Sequence, residues 1–96
     1  MEIIQEESES NGKLIAMDQG NQIGELTYSV NQDFIIADHT GINEDYKGKG
    51  VGKELFLALV EHLRQNSRKV MPLCPFVKAM FKRHTNMHDV LRHQSL

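Results

Sequence analysis

One stretch of the sequence has a composition suited to anion binding, Lys47-Gly48-Lys49-Gly50-Val51-Gly52-Lys53. Its glycines stand at alternate positions, so the chain can adopt positive φ angles there and a ligand can approach the backbone without Cβ atoms in the way. The lysines add positive charge around the same turn. If a helix begins here, its first N–H groups converge on an anion. We therefore predict that this turn holds a pyrophosphate.

The spacing of the glycines excludes two familiar nucleotide-binding loops. The phosphate loop of nucleotide triphosphatases requires Ser or Thr after its Gly-Lys pair, whereas Glu54 follows Lys53 here. The dinucleotide fingerprint Gly-x-Gly-x-x-Gly also fails. Counted from Gly48, the third glycine comes one residue early, and counted from Gly50, its place is taken by Leu55.

The residues before the glycine turn predict three β-strands. Short apolar and β-branched runs occupy residues 13–17, 23–30 and 34–40, and turn-forming residues separate them. Turns this short join antiparallel neighbours, so the three strands are expected to form a meander. Residues 6–12 are polar and are expected to form a loop.

The residues after the glycine turn change to a helical period. Leu55, Leu59 and Leu63 recur at i, i+4 and i+8, which predicts a helix over residues 54–65 with one apolar face. The charged and polar residues of this segment lie off that face. The glycine turn is therefore expected to lie between a strand and the start of a helix.

A second passage from strand to helix follows. Residues 69–74 predict a strand, and Pro75 suits the first turn of a helix over residues 75–83. A strand–helix–strand connection is almost always right-handed, so this strand should run parallel to residues 34–40. The fold class is therefore α+β, with a mixed sheet that begins as an antiparallel meander, continues through a parallel crossover and is followed by a short C-terminal helix.

Composition and length narrow the class of protein. The chain has 96 residues, which predicts a single domain over residues 1–96. A net charge of −2 gives no support to nucleic-acid binding, and no apolar stretch reaches the ~20 residues that span a bilayer. The N-terminus has no pattern of a secretory signal. Cys74 is the single cysteine, which excludes an internal disulfide and suits the reducing cytoplasm.

The glycine turn resembles motif A of the GNAT superfamily of N-acetyltransferases, written Gln/Arg-x-x-Gly-x-Gly/Ala. The pattern falls on residues 47–52, where Lys47 replaces the usual Gln or Arg. That change keeps the charge and gives up the planar fork of arginine. His39-Thr40 and Cys74-Pro75-Phe76-Val77 also resemble the small single-domain GNAT-like proteins of about this length. The resemblance covers residues 13–91.

The resemblance implies an acetyl-CoA site in a gap between two parallel strands that splay apart. In this chain the gap would separate residues 38–43 from residues 70–74, and Gly41 is expected to allow the bulge that opens it. The resemblance assigns the acetyl-CoA contacts to the strand end, the glycine turn and the start of the last helix: Thr40, Gly41, Ile42, Lys47, Gly48, Lys49, Gly50, Val51, Gly52, Lys53, Cys74 and Phe76.

Two residues near the expected thioester are candidates for catalysis, Cys74 and His39. Transfer to an amine needs a deprotonated nucleophile, a polarised carbonyl and a proton for the departing thiolate. By resemblance, the Cys74 thiol donates that proton or accepts the acetyl group; alternatively, it is a small buried hydrophobe. Histidine has a reference pKa near neutrality, so His39 suits a general base, or it is held structurally by a backbone carbonyl.

Other polar residues have both a functional and a structural interpretation. Glu25 and Glu44 are possible bases or ordinary solvated carboxylates, and Tyr46 packs against the turn or covers the cofactor. His84, His88 and His93 raise the question of a metal. No Cys or carboxylate partner pattern lies near them, so we expect no metal site.

Three functions remain open at this point. The first is an enzyme that transfers acetyl from acetyl-CoA to an amine of a small molecule or peptide. The second is a non-catalytic module that binds CoA or acyl-CoA. The third is a Cys74 that acetyl-CoA itself acetylates. The acceptor is not specified by the sequence, and the protein is expected to be a monomer or a homodimer.

Overall fold

A five-stranded mixed sheet forms the centre of the protein in its computed structural model, which describes residues 1–92. The strands lie in chain order; the first four pair antiparallel, and β5 pairs parallel with β4. The predicted meander and the predicted parallel strand are therefore confirmed. The strands are β1 (Glu2–Glu7), β2 (Asn11–Asp18), β3 (Asn21–Val30), β4 (Phe34–Ile42) and β5 (Lys69–Pro72).

Two α-helices, α1 (Val51–Gln65) and α2 (Pro75–Arg83), pack on the same face of the sheet. Helix α1 lies on β2, β3 and β4, whereas α2 contacts β4, β5 and α1 itself. The leucines predicted to form the apolar face of α1 are fully buried. Helix α1 begins at Val51, earlier than the predicted residue 54 and within the glycine turn itself. Two 3₁₀ turns, Glu44–Tyr46 and Thr85–Val90, complete the described elements.

Strand β1 was not predicted: the sequence assigned no element to residues 1–5 and a loop to residues 6–12, whereas β1 extends to Glu7 and β2 begins at Asn11. Its side chains are mostly polar and exposed, so it lacks the alternation that marks a half-buried strand. Pairing with the buried strand β2 holds its backbone, from Glu2 opposite Met17 to Glu7 opposite Gly12. A strand specified by its neighbour in this way leaves little signal in its own residues.

The β-bulge in β4 lies at Asp38, and the prediction of a bulge at Gly41 is wrong. Thr27 pairs with His39 and Tyr28 pairs with Ala37, which leaves Asp38 as the extra residue. Gly41 itself pairs regularly with Glu25. The Asp38 carboxylate accepts a hydrogen bond of 2.6 Å from the Ser29 hydroxyl, which holds the bulged residue against β3.

Within residues 1–92, no helix is both long and apolar enough to cross a membrane.

A polar cluster ties the edge strand β1 to the chain between α1 and β5. Arg68 donates to both carboxylate oxygens of Glu7, at 2.7 and 3.1 Å, and the Tyr28 hydroxyl donates to the same carboxylate at 2.7 Å. The hydrogen bonds from Arg68 are the main cause that holds the pKa of Glu7 below its ordinary value of 4.5. The cluster therefore stabilises the fold only while Glu7 is ionised.

His62 belongs to the same cluster and is held neutral. Its Nε2 lies 3.0 Å from an Arg68 nitrogen and 3.3 Å from the Gln5 amide nitrogen. Burial is the larger cause that lowers the pKa of His62 from 6.5, and the charge of Arg68 adds to it. Protonating His62 therefore opposes folding.

We expect the stability of the protein to fall with pH in two steps. Because the pKa of His62 is lower in the folded protein than its ordinary value of 6.5, His62 does not reduce the stability of the fold above pH 6.5. Below pH 6.5 the unfolded chain takes up a proton at His62 more readily than the folded protein, so stability declines until the pH reaches the folded pKa. A lowered Glu7 pKa gives stability that is complete above pH 4.5 and is lost as the pH falls through its folded value. Thermal unfolding between pH 3 and pH 8 measures both steps.

Glu7→Gln should lower the free energy of unfolding by about 1 kcal/mol at pH 7 and reduce the lower step, to which Asp89 also contributes because its hydrogen bonds from Arg64 lower its pKa. Glu6→Gln is the matched control, because the Glu6 carboxylate lies 4.0 Å from Lys13 in an exposed pair. Equal effects of the two substitutions would contradict a special role for the Glu7–Arg68 pair.

Candidate functional site

Strands β4 and β5 separate just beyond their last shared pair, Ala37 and Pro72. The Leu73 and Cys74 N–H groups both donate to the Ala37 carbonyl, at 3.0 and 2.9 Å, and the chain turns there into α2. Strand β5 therefore ends before the predicted residue 74. From His39 onward, no strand among residues 1–92 pairs with the free edge of β4.

The free edge of β4 exposes backbone groups to the gap. The Asn43 N–H donates to Ile23 in β3, so residue 43 faces β3. Backbone groups alternate between the two sides of a strand, so those of Thr40 and Ile42 face away from β3 and into the gap. A ligand arm that enters the gap can pair with them as a further strand would.

A cavity of about 830 Å³ joins this gap to the glycine turn and to one face of α2. Its lining comes from four segments that are distant in the chain: β4, the turn, the first residues of α1, and α2. The lining residues are His39, Thr40, Gly41, Ile42, Tyr46, Lys47, Gly48, Gly50, Val51, Gly52, Lys53, Phe76, Met80, Arg83 and His84.

The glycine turn opens onto the cavity in a conformation that suits an anion. Gly48 and Gly50 have φ angles of +79° and +83°, and no atom lies within 4 Å of the position that a Cβ would occupy at either residue. Gly50 is the N-cap of α1. The N–H groups of Val51, Gly52 and Lys53 have no acceptor within the described part of the chain. Unpaired donors at a helix start, with open space before them, attract a phosphate.

Gly52 is required for a different reason, which the sequence did not indicate. A Cβ at this position would lie 2.7 Å from Cζ of Phe76, closer than non-bonded carbons approach. The Phe76 ring therefore rests directly on the backbone of the first turn of α1. This contact sets the distance between α1 and α2 at the mouth of the gap.

The three lysines of the turn have different surroundings. Lys47 and Lys53 both line the cavity, but Lys47 also forms an ion pair of 2.9 Å with Glu44. The Lys49 amino group lies 5.5 Å from the centre of the Tyr46 ring, and Lys49 is not among the lining residues. Lys53 is therefore the lysine best placed to meet a bound phosphate.

Tyr46 is anchored beside the turn. Its hydroxyl donates to the Asp18 carboxylate at 3.0 Å, and this bond holds the pKa of Tyr46 above its ordinary value. The hydroxyl is thus neutral and already hydrogen-bonded, and Tyr46 is among the residues that line the cavity. This arrangement agrees with packing against the turn.

Of the two candidate catalytic residues, His39 lines the cavity and Cys74 does not. His39 is exposed, and its imidazole lies beside Gly41: Nε2 would be 3.3 Å from a Cβ if residue 41 had one. Cys74 is buried, with its Sγ 3.4 Å from the hydroxyl oxygen of Thr40. Thr40, which lines the cavity, is thus in contact with the thiol.

The carboxylates suggested as bases have other partners. Glu25 accepts a hydrogen bond from Gln22 at 3.1 Å, and Glu44 is paired with Lys47. Neither lines the cavity.

The histidines considered as metal ligands are engaged elsewhere. The His84 ring stacks on Phe56 with centroids 5.8 Å apart, and His88 Nε2 lies 2.6 Å from the Phe81 carbonyl. His93 lies outside the described residues. Among residues 1–92, no three His, Cys, Asp or Glu side chains converge as a metal site.

Sequence reasoning missed three lining residues, Met80 and Arg83 on α2 and His84 directly after it. With Phe76 they follow the spacing i, i+4, i+7 and i+8, which places them on one helix face. That spacing was visible in the sequence, but nothing in it indicated that this face lines the same cavity as the glycine turn.

The geometry defines an α+β protein with an anion-binding helix start beside a split in its sheet. Residues 14–90 match the sequence family described as GCN5-related N-acetyl-transferase, and the protein belongs to this GNAT family. The family predicted from the motif is therefore confirmed. No curated protein sequence matches the chain.

Solved structures agree with this assignment. The solution structure of a GCN5-like protein from Staphylococcus aureus is similar at 36% identity, covers 97% of this chain and 92% of its own, and gives a TM-score of 0.66. A ribosomal-protein-alanine N-acetyltransferase from Brucella melitensis is similar at 20% identity, over 77% of this chain and 59% of its own, with a TM-score of 0.66. Aminoglycoside N-acetyltransferase AAC(6')-Iy, in complex with CoA, is similar at 17% identity, over 83% and 68%, with a TM-score of 0.57. The last two likenesses show the fold.

We expect residues 52 and 76 to be coupled in stability. Gly52→Ala should stabilise the helix start by about 0.5–1 kcal/mol in a Phe76→Ala background. The gain should vanish beside Phe76, because the new methyl group must displace the ring. Urea unfolding of the four proteins of this cycle measures the coupling.

Glu54→Ala, an exposed change in the same helical turn, is the control and should combine additively with Phe76→Ala. Additivity for Gly52→Ala as well would show that the ring does not press on the helix start.

Proposed function

We propose that the protein is an N-acetyltransferase that binds acetyl-CoA in this cavity and transfers the acetyl group to an amine by direct attack. The observation that carries the proposal is the turn itself. Left-handed glycines present the free N–H groups of α1 to a cavity that continues into the split between β4 and β5. A ligand with a pyrophosphate and a long flexible arm suits such a continuous site.

The residues of the turn suit the pyrophosphate. Its oxygens would accept from the N–H groups of Val51, Gly52 and Lys53, and the dipole of α1 favours the negative charge. The Lys53 side chain adds a cation on the same wall. A Cβ at Gly48 or Gly50 would enter the space that the phosphates need, so the glycines serve both conformation and access.

The pantetheine arm would then follow the free edge of β4. Its amide groups would pair with the backbone of Thr40 and Ile42, which face the gap. Phe76 would give this path an apolar wall on the α2 side, because its ring closes the space between α2 and Gly52. This path brings the thioester to the vicinity of His39 and Thr40.

Transfer requires that a C–N bond form as the C–S bond breaks. The amine attacks the thioester carbonyl, its proton passes to a base, and the CoA thiolate takes up a proton. His39 is exposed and lines the cavity, so we assign it the role of general base. The proton for the departing sulfur would come from the Cys74 thiol through the Thr40 hydroxyl, 3.4 Å from Sγ, which gives up one proton as it receives another. Cys74 is then left as a thiolate and regains its proton before the next turnover. Burial of Cys74 favours direct attack over an acetylated cysteine.

A non-catalytic CoA-binding module is the second candidate. Both α-helices lie on one face of the sheet, so no described helix covers the opposite face, where an acceptor would need a pocket. Without such a pocket the amine is not held in position against the thioester, and an enzyme loses the rate acceleration that this positioning provides. The two candidates share the CoA site and differ in turnover.

Gly50→Asp should abolish acetyl-CoA binding in calorimetric titration, because its carboxylate repels the pyrophosphate and occupies its place. The substitution should leave the fold intact, since the Cβ position is free of contacts and Asp tolerates positive φ. Circular dichroism checks the fold.

Gly20→Asp is the matched control. Gly20 also has a positive φ, +80°, and an open Cβ position, but it lies in the turn between β2 and β3. Unchanged binding by Gly50→Asp, or an equal loss in both variants, would refute the assigned pyrophosphate site.

The second measurement is turnover with a panel of primary amines. His39→Ala should lower kcat by about 10²-fold or more while leaving acetyl-CoA affinity unchanged, because a general base acts in the chemical step. Cys74→Ala should lower kcat less than His39→Ala, and intact mass should show no acetylated protein after exposure to acetyl-CoA alone.

Amine-dependent release of CoA distinguishes the two candidates. Tight binding without release by any amine would support the module. Equal kcat in wild type and His39→Ala would remove the base from the mechanism.

A further inference from the structure

The cavity has a second cationic wall, which the pyrophosphate site does not use. Arg83, in the last turn of α2, lines the cavity together with the glycine turn. Its guanidinium forms no hydrogen bond or ion pair with any other residue among residues 1–92. Arg64 and Arg68, by contrast, are each paired with a carboxylate. Arg83 is thus a free planar donor that faces a cavity.

Arg83 lies at the end of the cavity away from the split in the sheet. Phe76 rests on Gly52 at the mouth of the gap, and Arg83 follows seven residues later on the same helix face, about 10 Å further along α2. The neighbouring His84 stacks on Phe56, one turn further into α1 than Gly52. Cationic groups therefore stand at two separate places, the helix start at Gly50–Lys53 and the Arg83 guanidinium.

We propose that Arg83 binds the 3′-phosphate on the ribose of CoA and makes the protein discriminate CoA from its dephospho form. This inference rests on the proposed function. The nucleotide end of CoA carries two anions: the pyrophosphate and a phosphomonoester on the ribose. The first belongs to the helix start, and the second needs a cation displaced from it on the side away from the pantetheine arm.

The chemistry of arginine suits this second anion. A phosphomonoester carries a charge of about −1.5 to −2 near pH 7 and offers three strong acceptor oxygens. The guanidinium fork matches two of these oxygens at once, which a lysine ammonium cannot do. Arg83 also complements the negative end of the helix dipole, a role that the neighbouring Lys82 shares. The control must therefore separate phosphate binding from helix stabilisation.

The experiment is a calorimetric titration of CoA and of 3′-dephospho-CoA at one ionic strength. The proteins are wild type, Arg83→Gln, Arg83→Lys and Lys82→Gln, an exposed position outside the cavity lining. Wild type should bind CoA at least tenfold more tightly than dephospho-CoA. Arg83→Gln should lose that preference and bind dephospho-CoA as wild type does. Arg83→Lys should keep part of the preference, and Lys82→Gln should keep all of it.

Lys53→Gln completes the test, because loss of the Lys53 charge at the pyrophosphate site should weaken the binding of CoA and of dephospho-CoA by a similar factor. Equal binding of CoA and dephospho-CoA by wild type would overturn the inference while leaving the CoA site in place. A preference that survives in Arg83→Gln would do the same. Failure of wild type to bind either ligand would overturn both the inference and the proposed function.

Discussion

The Ala37 carbonyl accepts hydrogen bonds from the N–H groups of both Leu73 and Cys74, and the site depends on this pair of hydrogen bonds. It ends the pairing of β5 with β4 and turns the chain into α2. Proline at position 72 has no N–H to continue a ladder, and Pro75 suits a first helical turn. The edge of β4 beyond Ala37 is therefore left without a strand beside it, which creates the gap.

Gly50 and Gly52 shape the part of the cavity that lies at the start of α1. Left-handed Gly50 starts α1 with its N–H groups unpaired, and Gly52 lets the Phe76 ring lie against the helix backbone. The first feature supplies the anion site, and the second fixes how near α2 can approach. Because both belong to one turn, the binding site and the packing of the helices are specified by the same few residues.

Local patterns predicted most of the fold, because strand alternation, helical period and turn residues act over a few positions. Helix α2 was predicted at its observed bounds, and the parallel pairing of β5 followed from the handedness of crossovers. Strand β1 was missed because its own side chains are polar and its pairing with β2 forms it. The bulge was placed at Gly41 because glycine favours bulges, whereas the register of β3 against β4 puts it at Asp38.

The sequence by itself determined that a glycine turn lies between a strand and a helix, and which family that turn belongs to, since these are short-range patterns. Only the tertiary structure decided which side chains share the cavity. The Lys49 amino group lies over the Tyr46 ring, Cys74 is buried in contact with Thr40, and Arg83 lines the cavity from another helix. Two of these positions depend on segments 30 or more residues apart, as in the contact of Thr40 with Cys74. A single sequence carries no local signal for packing across such a separation.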